Sequence, residues 1–408
     1  MPMNVVLITL DGVRPDYLGC YGKRNVKTPN IDLLASKGVL VEKVYCHTPC
    51  TSSSHLSLFT SRLPLNHGIR FNRQKFEKKL PVVSQIFQSA GYQTAAFVGA
   101  FVFDKQFGFN RGYDFYSDDM TNQYIEPFLF KIFNYQKDWG GYKVTKFSRN
   151  ANRVSGSAIR WLKSIDNDKP FFTWLHYTDA HDVYRLPLPL HLYYYRRRNY
   201  QQNVEYIDKH LGKFAEYLKK ENIFENTLFI ITSDHGESLN DYQFKGRDYT
   251  GHSNIVYNVA LNIPLIMAGP NIPVGKRSKQ LFRQVDILPT LLNMVGISYE
   301  SDSSFEGENL SDILLGKSTE KNLEVFAETL RPRAANLPEL RALIQDPWKY
   351  VLKGQGKGEV LYHLIDDPQE RENIINRCPQ IAEKMRSRLY EIIKNDNAES
   401  VLEALGYS

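Results

Sequence analysis

Near its N-terminus the chain reads Val5-Val6-Leu7-Ile8-Thr9-Leu10-Asp11-Gly12, a short apolar run that stops at a carboxylate and a glycine. A second run of the same kind, Leu228 to Thr232, stops at Ser233-Asp234-His235. Short apolar runs that are rich in β-branched residues and bounded by turn residues predict buried strands. Both strands are therefore expected to end in side chains that can carry out chemistry.

The rest of the chain alternates strand and helix patterns. Three more strands are predicted at Thr94 to Val98, Phe171 to His176 and Pro264 to Met267. Helical patterns separate the strands, and they cover Thr28 to Lys37, Val82 to Ala90, Asn152 to Ser164, Asn203 to Glu221 and Asp286 to Val295. This alternation predicts an α/β fold with a large mixed, mostly parallel sheet sandwiched by helices. Ligands of such sheets bind at the carboxyl ends of the strands, where Asp11 and Asp234 lie.

The chain is predicted to divide at about residue 310, into a catalytic α/β domain (1–310) and a small C-terminal α+β subdomain (311–408). Two segments resemble insertions, residues 117–149 and 184–200. The second contains Tyr193-Tyr194-Tyr195-Arg196-Arg197-Arg198, which fits a surface helix and a substrate-facing lid equally well.

Composition narrows the function classes. The 408 residues are 42% hydrophobic and 24% charged, which predicts a globular protein with a sizeable core. The net charge of +6 calls for no nucleic-acid partner and suits an anionic substrate. Four cysteines are too few for a disulfide framework, and no apolar stretch is long enough to span a bilayer. Together with the lack of a signal peptide pattern, these features predict a cytoplasmic protein.

Three stretches share one chemical character. They are the strand end at Asp11, the hydroxyl-rich run Thr48 to Thr60, and the strand end at Asp234-His235. Each has an ordinary structural explanation when taken alone, as a turn, a helix cap or a solvated loop. Two aspartates, a histidine and a hydroxyl at successive strand ends form a ligand set that suits one divalent cation.

The chain resembles the sulfatase family within the alkaline phosphatase superfamily. The resemblance covers almost the whole chain and rests on many collinear motifs. They include Asp11-Gly12 with Leu18-Gly19-Cys20-Tyr21-Gly22, Thr28-Pro29-Asn30-Ile31-Asp32, His176 to His181, Thr227 to Glu237, Asp286 to Leu292 and Leu361-Tyr362-His363-Leu364. The resemblance implies an ester hydrolase with a metal ion held by Asp11, Asp234 and His235 and coordinated by the hydroxyl of Thr51.

The departures from the family pattern concern the nucleophile. Classical sulfatases use a cysteine, oxidised to formylglycine, in a Cys-x-Pro-x-Arg motif that precedes a Thr by nine positions and a His-Gly by sixteen. Counting back from Thr60 and from His67-Gly68 leads to Thr51, and Cys50 is one residue early. The family's Pro, Arg and second metal-binding Asp are replaced by Ser53, His55 and Gly12. This pattern is similar to the phosphodiesterase and phosphoethanolamine-transferase branches, in which an unmodified Thr is the nucleophile.

The resemblance also implies roles for four other side chains. His181 and His252 are similar to the family histidines that contact the transferring group or protonate the leaving oxygen. His55 and Asn72 are candidate contacts to its oxygens, although His55 could instead hydrogen-bond the neighbouring serines. The Asp179-to-His181 spacing does not match the pattern of the two-zinc phosphodiesterases, so one metal ion is predicted. Its ligand set favours Zn or Mn, with Ca or Mg also accepted.

Four functions stay open at this point. The leading hypothesis is hydrolysis of a small anionic ester through Thr51, with a phosphodiester or phosphonate ahead of a sulfate ester, on a sugar or a lipid head group. The second is a true sulfatase that uses oxidised Cys50, and the third is a transferase of a phosphoryl-linked head group. The last is a binding module derived from an inactive enzyme, against which the intact set of Asp11, Thr51, Asp234 and His235 argues.

Overall fold

The computed structural model describes residues 2–23, 25–120, 138–139, 142–143, 148–181, 199–244, 247–299, 305–332, 337–354, 358–394 and 396. Most of the predicted insertions at 117–149 and 184–200, including the Tyr/Arg run, lies outside these residues. No helix in the described ranges combines the length and the apolar character that a membrane crossing requires.

The strands are β1 (Asn4–Leu10), β2 (Gly38–Tyr45), β3 (Gln93–Phe97), β4 (Phe115–Ser117), β5 (Asp138–Trp139), β6 (Tyr142–Lys143), β7 (Phe171–Tyr177), β8 (Thr227–Ser233), β9 (Ser238–Phe244), β10 (Arg247–Gly251), β11 (Leu265–Ala268), β12 (Lys276–Arg283), β13 (Val325–Thr329), β14 (Leu340–Gln345), β15 (Trp348–Lys353) and β16 (Glu359–His363). The α-helices are α1 (Pro29–Ser36), α2 (Thr51–Thr60), α3 (Pro64–His67), α4 (Val83–Ser89), α5 (Ala151–Leu162), α6 (Tyr200–Lys220), α7 (Asn258–Leu261), α8 (Ile287–Met294), α9 (Ser311–Leu314) and α10 (Pro379–Ile393).

The large sheet has the strand order β12-β2-β11-β8-β1-β7-β3-β4. Its strand pairs are parallel except where β11 meets β2 and β8. The central strand β1 is buried along its whole length, which explains its apolar sequence. Its last residue, Leu10, pairs with Ser233 on one side and with Tyr177 on the other. The residues that follow these three strands therefore meet at one edge of the sheet.

Helices cover both faces of this sheet, as predicted. One face packs against α1, α5 and α6 through residues such as Ile31, Val154 and Val204. The other face packs against α2, α4 and α8, and Leu56 and Phe59 anchor α2 in this core. The helix that carries Thr51 is thus fixed by burial of its own apolar side chains.

A second, antiparallel sheet has the order β13-β14-β15-β16. Its side chains alternate between two cores because successive residues of a strand point to opposite faces. Val325 and Ala342 join the core of the large sheet, whereas Leu343 and Tyr350 pack against α10. The structure thus confirms the predicted small C-terminal α+β unit, while the boundary at residue 310 stays a prediction.

The predicted helices and strands are all present, with ends shifted by a few residues. The helix predicted from Asn203 begins at Tyr200, because Asn199 and Gln202 form a capping box ahead of it. The strands β2 and β12 were not predicted. β12 lies at the edge of the sheet and mixes polar with apolar residues, so its pattern lacks the continuous apolar run of a central strand.

Candidate active site

Thr51 is the first residue of α2, and it is buried. Its Oγ1 atom lies 3.2 Å from Nε2 of His235, which follows β8. The side chain of Ser54, one turn along the helix, donates a 2.6 Å hydrogen bond to the Asp234 carbonyl oxygen and ties the helix to the end of β8. A hydroxyl at a helix N-terminus lies at the positive end of the helix dipole, which favours an oxyanion there.

The predicted ligands Asp11, Asp234 and His235 meet at the edge of the large sheet, and all three are buried. His235 Nε2 lies 3.6 Å from Asp11 Oδ1 and 3.3 Å from Asp234 Oδ2. The other oxygen of each carboxylate has a protein partner. Asp11 Oδ2 accepts a hydrogen bond from the Thr178 hydroxyl (3.2 Å), and Asp234 Oδ1 accepts one from the Gly12 backbone N–H (3.1 Å).

The remaining oxygens, Asp11 Oδ1 and Asp234 Oδ2, are buried without a hydrogen-bond partner. Burial and the charge of Asp11 raise the pKa of Asp234 well above its ordinary value. Burial acts in the same direction on Asp11, but His181, His176 and His235 outweigh it and lower the pKa of Asp11. Two buried carboxylates this close cannot both stay ionised without a compensating cation. The donor set therefore fits the divalent ion that the sequence predicts.

His181 and His252 lie beside this ligand set. Nε2 of His181 is 4.0 Å from Asp11 Oδ1 and 3.1 Å from Nε2 of His252. The rings of His252 and His235 are nearly parallel, with centroids 3.8 Å apart. The structure thus brings both histidines to the site although the loop before His252, which contains the β9–β10 hairpin, is long.

His55 belongs to α2, and its side chain is buried. Its Nδ1 is 2.8 Å from the Thr51 carbonyl oxygen and its Nε2 is 3.0 Å from the Thr9 hydroxyl. Burial lowers the pKa of His55 well below its ordinary value, so the ring is neutral. Both ring nitrogens are used within the protein, and these contacts do not support the predicted contact to a substrate oxygen.

Asn72 contacts the beginning of α2. Its Oδ1 atom accepts hydrogen bonds from the Ser52 backbone N–H (2.9 Å) and from the Cys50 thiol (3.3 Å). Because Cys50, at the N-cap position, makes no side-chain capping bond, Asn72 caps the helix from a separate loop. Burial raises the pKa of the Cys50 thiol to about 11, which keeps it protonated at neutral pH.

Sequence reasoning missed the residues that support the ligands. His176 and Thr178, at the end of β7, contact Asp11 Oδ2 at 3.6 and 3.2 Å. The buried Glu237 lies 3.8 Å from Nδ1 of His181. The register of β1 against β7 could have identified the first two, since it brings both strand ends together. Asp179 serves another purpose, because its Oδ2 accepts a hydrogen bond from the Ala151 N–H at the start of α5.

Comparison with known proteins agrees with this architecture. The sulfatase family model matches residues 3–297, and a model of the C-terminal part of N-sulphoglucosamine sulphohydrolase matches residues 252–395. The arylsulfatase of Clostridium perfringens is 24% identical over 92% of this chain and 91% of its own.

Two solved structures show the same fold. One is Ps i-CgsB in complex with k-i-k-neocarrahexaose, with a TM-score of 0.76 and 21% identity over 98% of this chain and 94% of that one. The other is the phosphonate monoester hydrolase of Agrobacterium radiobacter, with a TM-score of 0.74 and 19% identity over 96% of each chain. With most of its length matched by the family model and its ligand residues gathered at the sheet edge, the chain belongs to the sulfatase family and is an ester hydrolase of the alkaline phosphatase superfamily.

Proposed function

We propose that this hydrolase acts through a covalent ester on Thr51, with a phosphodiester or a phosphonate monoester as its substrate. The observation that carries the proposal is the position of Thr51 Oγ1, which lies 3.2 Å from His235 Nε2. The same ring nitrogen lies 3.6 Å and 3.3 Å from the unpartnered oxygens of Asp11 and Asp234. The adjacent Cys50 is directed to Asn72 and holds its proton tightly.

Asp11, Asp234 and His235 would hold the divalent ion, which when bound lowers the pKa of a neighbouring hydroxyl and offsets charge on the transferring group. Thr51 loses its hydroxyl proton to solvent, and Oγ1 forms a bond to phosphorus or sulfur. The bond to the leaving oxygen breaks, and that oxygen takes up a proton in the neighbourhood of His181 and His252. Water then cleaves the Thr51 ester, which releases the acid and restores the hydroxyl.

The supporting residues keep the nucleophile in place. His55 holds the first turn of α2 through the Thr51 carbonyl, and Asn72 caps the same turn through Ser52. We therefore assign both residues to positioning of Thr51. The positive end of the α2 dipole also stabilises negative charge that develops on Thr51 Oγ1.

Exchange of each candidate nucleophile tests this proposal. Thr51→Ala is expected to abolish turnover, Cys50→Ala to keep most of it, and Thr51→Ser to retain a hydroxyl nucleophile and measurable activity. The assay uses aryl sulfate, phosphate monoester, phosphodiester and phosphonate substrates with Zn, Mn, Mg and Ca. Loss of activity in Cys50→Ala with activity kept in Thr51→Ala would refute the assignment.

A sulfate ester on a sugar is the second candidate substrate. It is favoured by the names of the relatives, which include an arylsulfatase and an N-acetylgalactosamine-6-sulfatase of Homo sapiens, 24% identical over 77% of this chain. The same substrate panel separates the two candidates. The predicted cytoplasmic location also stays a proposal, and the four cysteines are free thiols in the structure.

A further inference from the structure

A cavity of about 400 Å³ lies where the C-terminal unit packs against the core of the large sheet. Its apolar lining includes Leu65 of α3 and Val285, just ahead of α8, together with Phe326 of β13 and Ile392 of α10. The metal-ligand set at the sheet edge does not line it. Protein interiors contain few voids larger than a water molecule, and a space of this volume lies in the range of small-molecule pockets.

The cavity is also lined by His47, a buried histidine two residues beyond the end of β2. Its Nδ1 lies 2.6 Å from the Phe326 carbonyl oxygen, which only accepts, so Nδ1 carries the hydrogen. Burial, with a smaller effect of Arg283, lowers the pKa of His47 to about 3, and Nε2 of the neutral ring presents a lone pair. Among the described residues that line the cavity, this Nε2 is the buried side-chain atom without a hydrogen-bond partner. It therefore calls for a donor from the cavity.

The charged side chains that line the cavity already have partners in the chain. These contacts are Arg283 with Asp286 (2.7 Å), Arg388 with Glu324 (2.5 Å), Asp396 with Arg341 (2.6 Å), and Glu306 with the Leu63 N–H and the Asn66 amide (both 2.7 Å). A charged ligand would add a charge whose possible partners are already engaged, which is costly away from water. The lining therefore favours a neutral ligand.

A hydroxyl group suits the polar part of this lining. Nε2 of His47 needs a donor, and the carboxylates of Glu306 and Glu324 also only accept. The guanidinium groups of Arg283 and Arg388 only donate. A hydroxyl donates and accepts through one oxygen, so a molecule with several hydroxyls can contact both kinds of group.

The cavity adjoins the loop that leads to the nucleophile. His47 is four residues before Thr51, and its carbonyl oxygen accepts a 2.9 Å hydrogen bond from the Glu328 N–H of β13. Further along the same loop, the carbonyl oxygen of Pro49 lies 2.7 Å from Nδ1 of His252. One short loop thus contacts both the cavity and the active site.

We propose that this cavity is an accessory binding site for a neutral polyhydroxylated molecule, a polyol or a monosaccharide. One hydroxyl donates to Nε2 of His47, and the carbon skeleton packs against Phe326 and Ile392. The site goes beyond the proposed function, because none of its contacts involves Thr51 or the metal ligands.

The test is calorimetric titration of the full chain with sorbitol, D-glucose and D-galactose, which measures binding without reference to turnover. At least one of these neutral probes is expected to bind with a Kd in the millimolar range or tighter. D-glucuronate and D-glucosamine, which add a negative or a positive charge to the ring, are expected to bind more weakly. The nitrogen NMR signal of His47 Nε2 is expected to shift when a neutral probe binds, because that atom gains a donor.

Two variants locate the binding. His47→Phe keeps a planar ring and removes the acceptor, and it should weaken binding by about tenfold. Leu65→Trp fills the cavity and should abolish binding while it leaves the hydrogen-bonding groups of the lining in place. Leu33→Trp, at an exposed position on α1, is the matched control and should bind as wild type does.

The outcomes decide this proposal separately from the proposed function, since no activity is measured. Loss of binding in Leu65→Trp, with binding kept in Leu33→Trp and unchanged circular dichroism spectra, supports it even if His47→Phe does not fold. Absence of binding of all three neutral probes at millimolar concentrations would overturn it. Binding that Leu65→Trp leaves unchanged would also overturn it, because the probe would then occupy another place. Tighter binding of D-glucuronate or D-glucosamine than of every neutral probe would contradict a neutral ligand.

Discussion

The site edge of the large sheet and the interface with the small sheet both bury charged side chains, but they satisfy them differently. At the interface, Lys349 and Glu370 form a buried ion pair at 2.6 Å, and Asn258 bonds to both. At the site, Asp11 and Asp234 each have one buried oxygen without a hydrogen-bond partner. A buried charge costs several kcal/mol unless it is paired. The charged side chains at the interface are thus neutralised by other residues of the chain, whereas the carboxylates of the site keep an oxygen available to a ligand.

The interface repeats its pattern at Arg70. This buried guanidinium forms ion pairs with Glu328 on β13 and with Asp396, and Arg341 on β14 also pairs with Asp396. Arg70 is two residues before Asn72, which caps α2. The small sheet therefore supports the loop that caps α2, the helix that carries Thr51. Each prediction below changes one side of this contrast.

The largest effect is expected when one site carboxylate loses its charge. Asp234→Asn keeps an oxygen for the Gly12 N–H but removes a metal ligand, so kcat/KM should fall by about 10³-fold or more. In the metal-free protein the same change removes repulsion from Asp11, so the melting temperature should not fall. Calorimetry with and without a chelator measures this. A large drop in the melting temperature of Asp234→Asn in the presence of the chelator would mean that Asp234 stabilises the fold, as the ion pairs of the interface do.

The opposite result is expected at the interface. Lys349→Met leaves Glu370 buried without its cation, which should lower the free energy of unfolding by about 3–5 kcal/mol. The number of bound metal ions should not change, since the pair lies apart from the ligand set. Urea unfolding measures the loss of stability, and elemental analysis of the folded variant measures the number of bound metal ions. Fewer bound metal ions in a fully folded variant would contradict the claim that this ion pair is independent of the ligand set.

How far the sequence predicts this molecule depends on whether a feature is local. The strands β1 and β8 and the residues that follow them could be predicted, because a buried parallel strand is a continuous apolar run that ends at a defined edge. Thr51 could be selected as the candidate nucleophile by counting back from Thr60 and His67, and this assignment stays a prediction. The hydrogen bonds that orient His55 and His252 could not be predicted, because their ring nitrogens bond to Thr9 and Pro49, which are distant in sequence and meet them only in the folded chain.

A smaller effect is expected from pH, through the buried His67, whose Nε2 lies 3.1 Å from the Ser57 hydroxyl of α2. Burial lowers the pKa of His67 from 6.5 to about 3, and its Nδ1 accepts a hydrogen bond from the Ile69 N–H. The unfolded chain therefore binds a proton below pH 6.5 that the native state takes up only near pH 3. Stability should fall as the pH is lowered through this window, by about 1.4 kcal/mol per pH unit from this residue.

Urea unfolding of wild type and His67→Gln at pH 7, 6 and 5 isolates this contribution. As the pH falls, the free energy of unfolding should decrease less steeply in the variant than in wild type. The difference in slope should correspond to about one bound proton. Equal slopes for the two proteins would show that His67 does not contribute.

The smallest effect is expected at the cap of α2. Asn72→Ala leaves the Ser52 N–H without its acceptor, and loss of a cap costs about 1 kcal/mol. The loss of turnover should be more than tenfold smaller than the loss in Thr51→Ala, and KM should be nearly unchanged, because Thr51 is displaced and not removed. Asn72→Asp restores the acceptor and should recover stability. No recovery in Asn72→Asp would indicate that the amide group has a different role.

The identity of the nucleophile is the central claim, and trapping of the intermediate tests it most directly. The wild-type enzyme is quenched during turnover of its best substrate, and the peptide that contains Cys50 and Thr51 is sequenced by mass spectrometry. The account predicts a phosphoryl, phosphonyl or sulfuryl group on Thr51 with Cys50 as an unmodified thiol. A formylglycine at position 50 that carries the transferred group, with Thr51 unmodified, would contradict it.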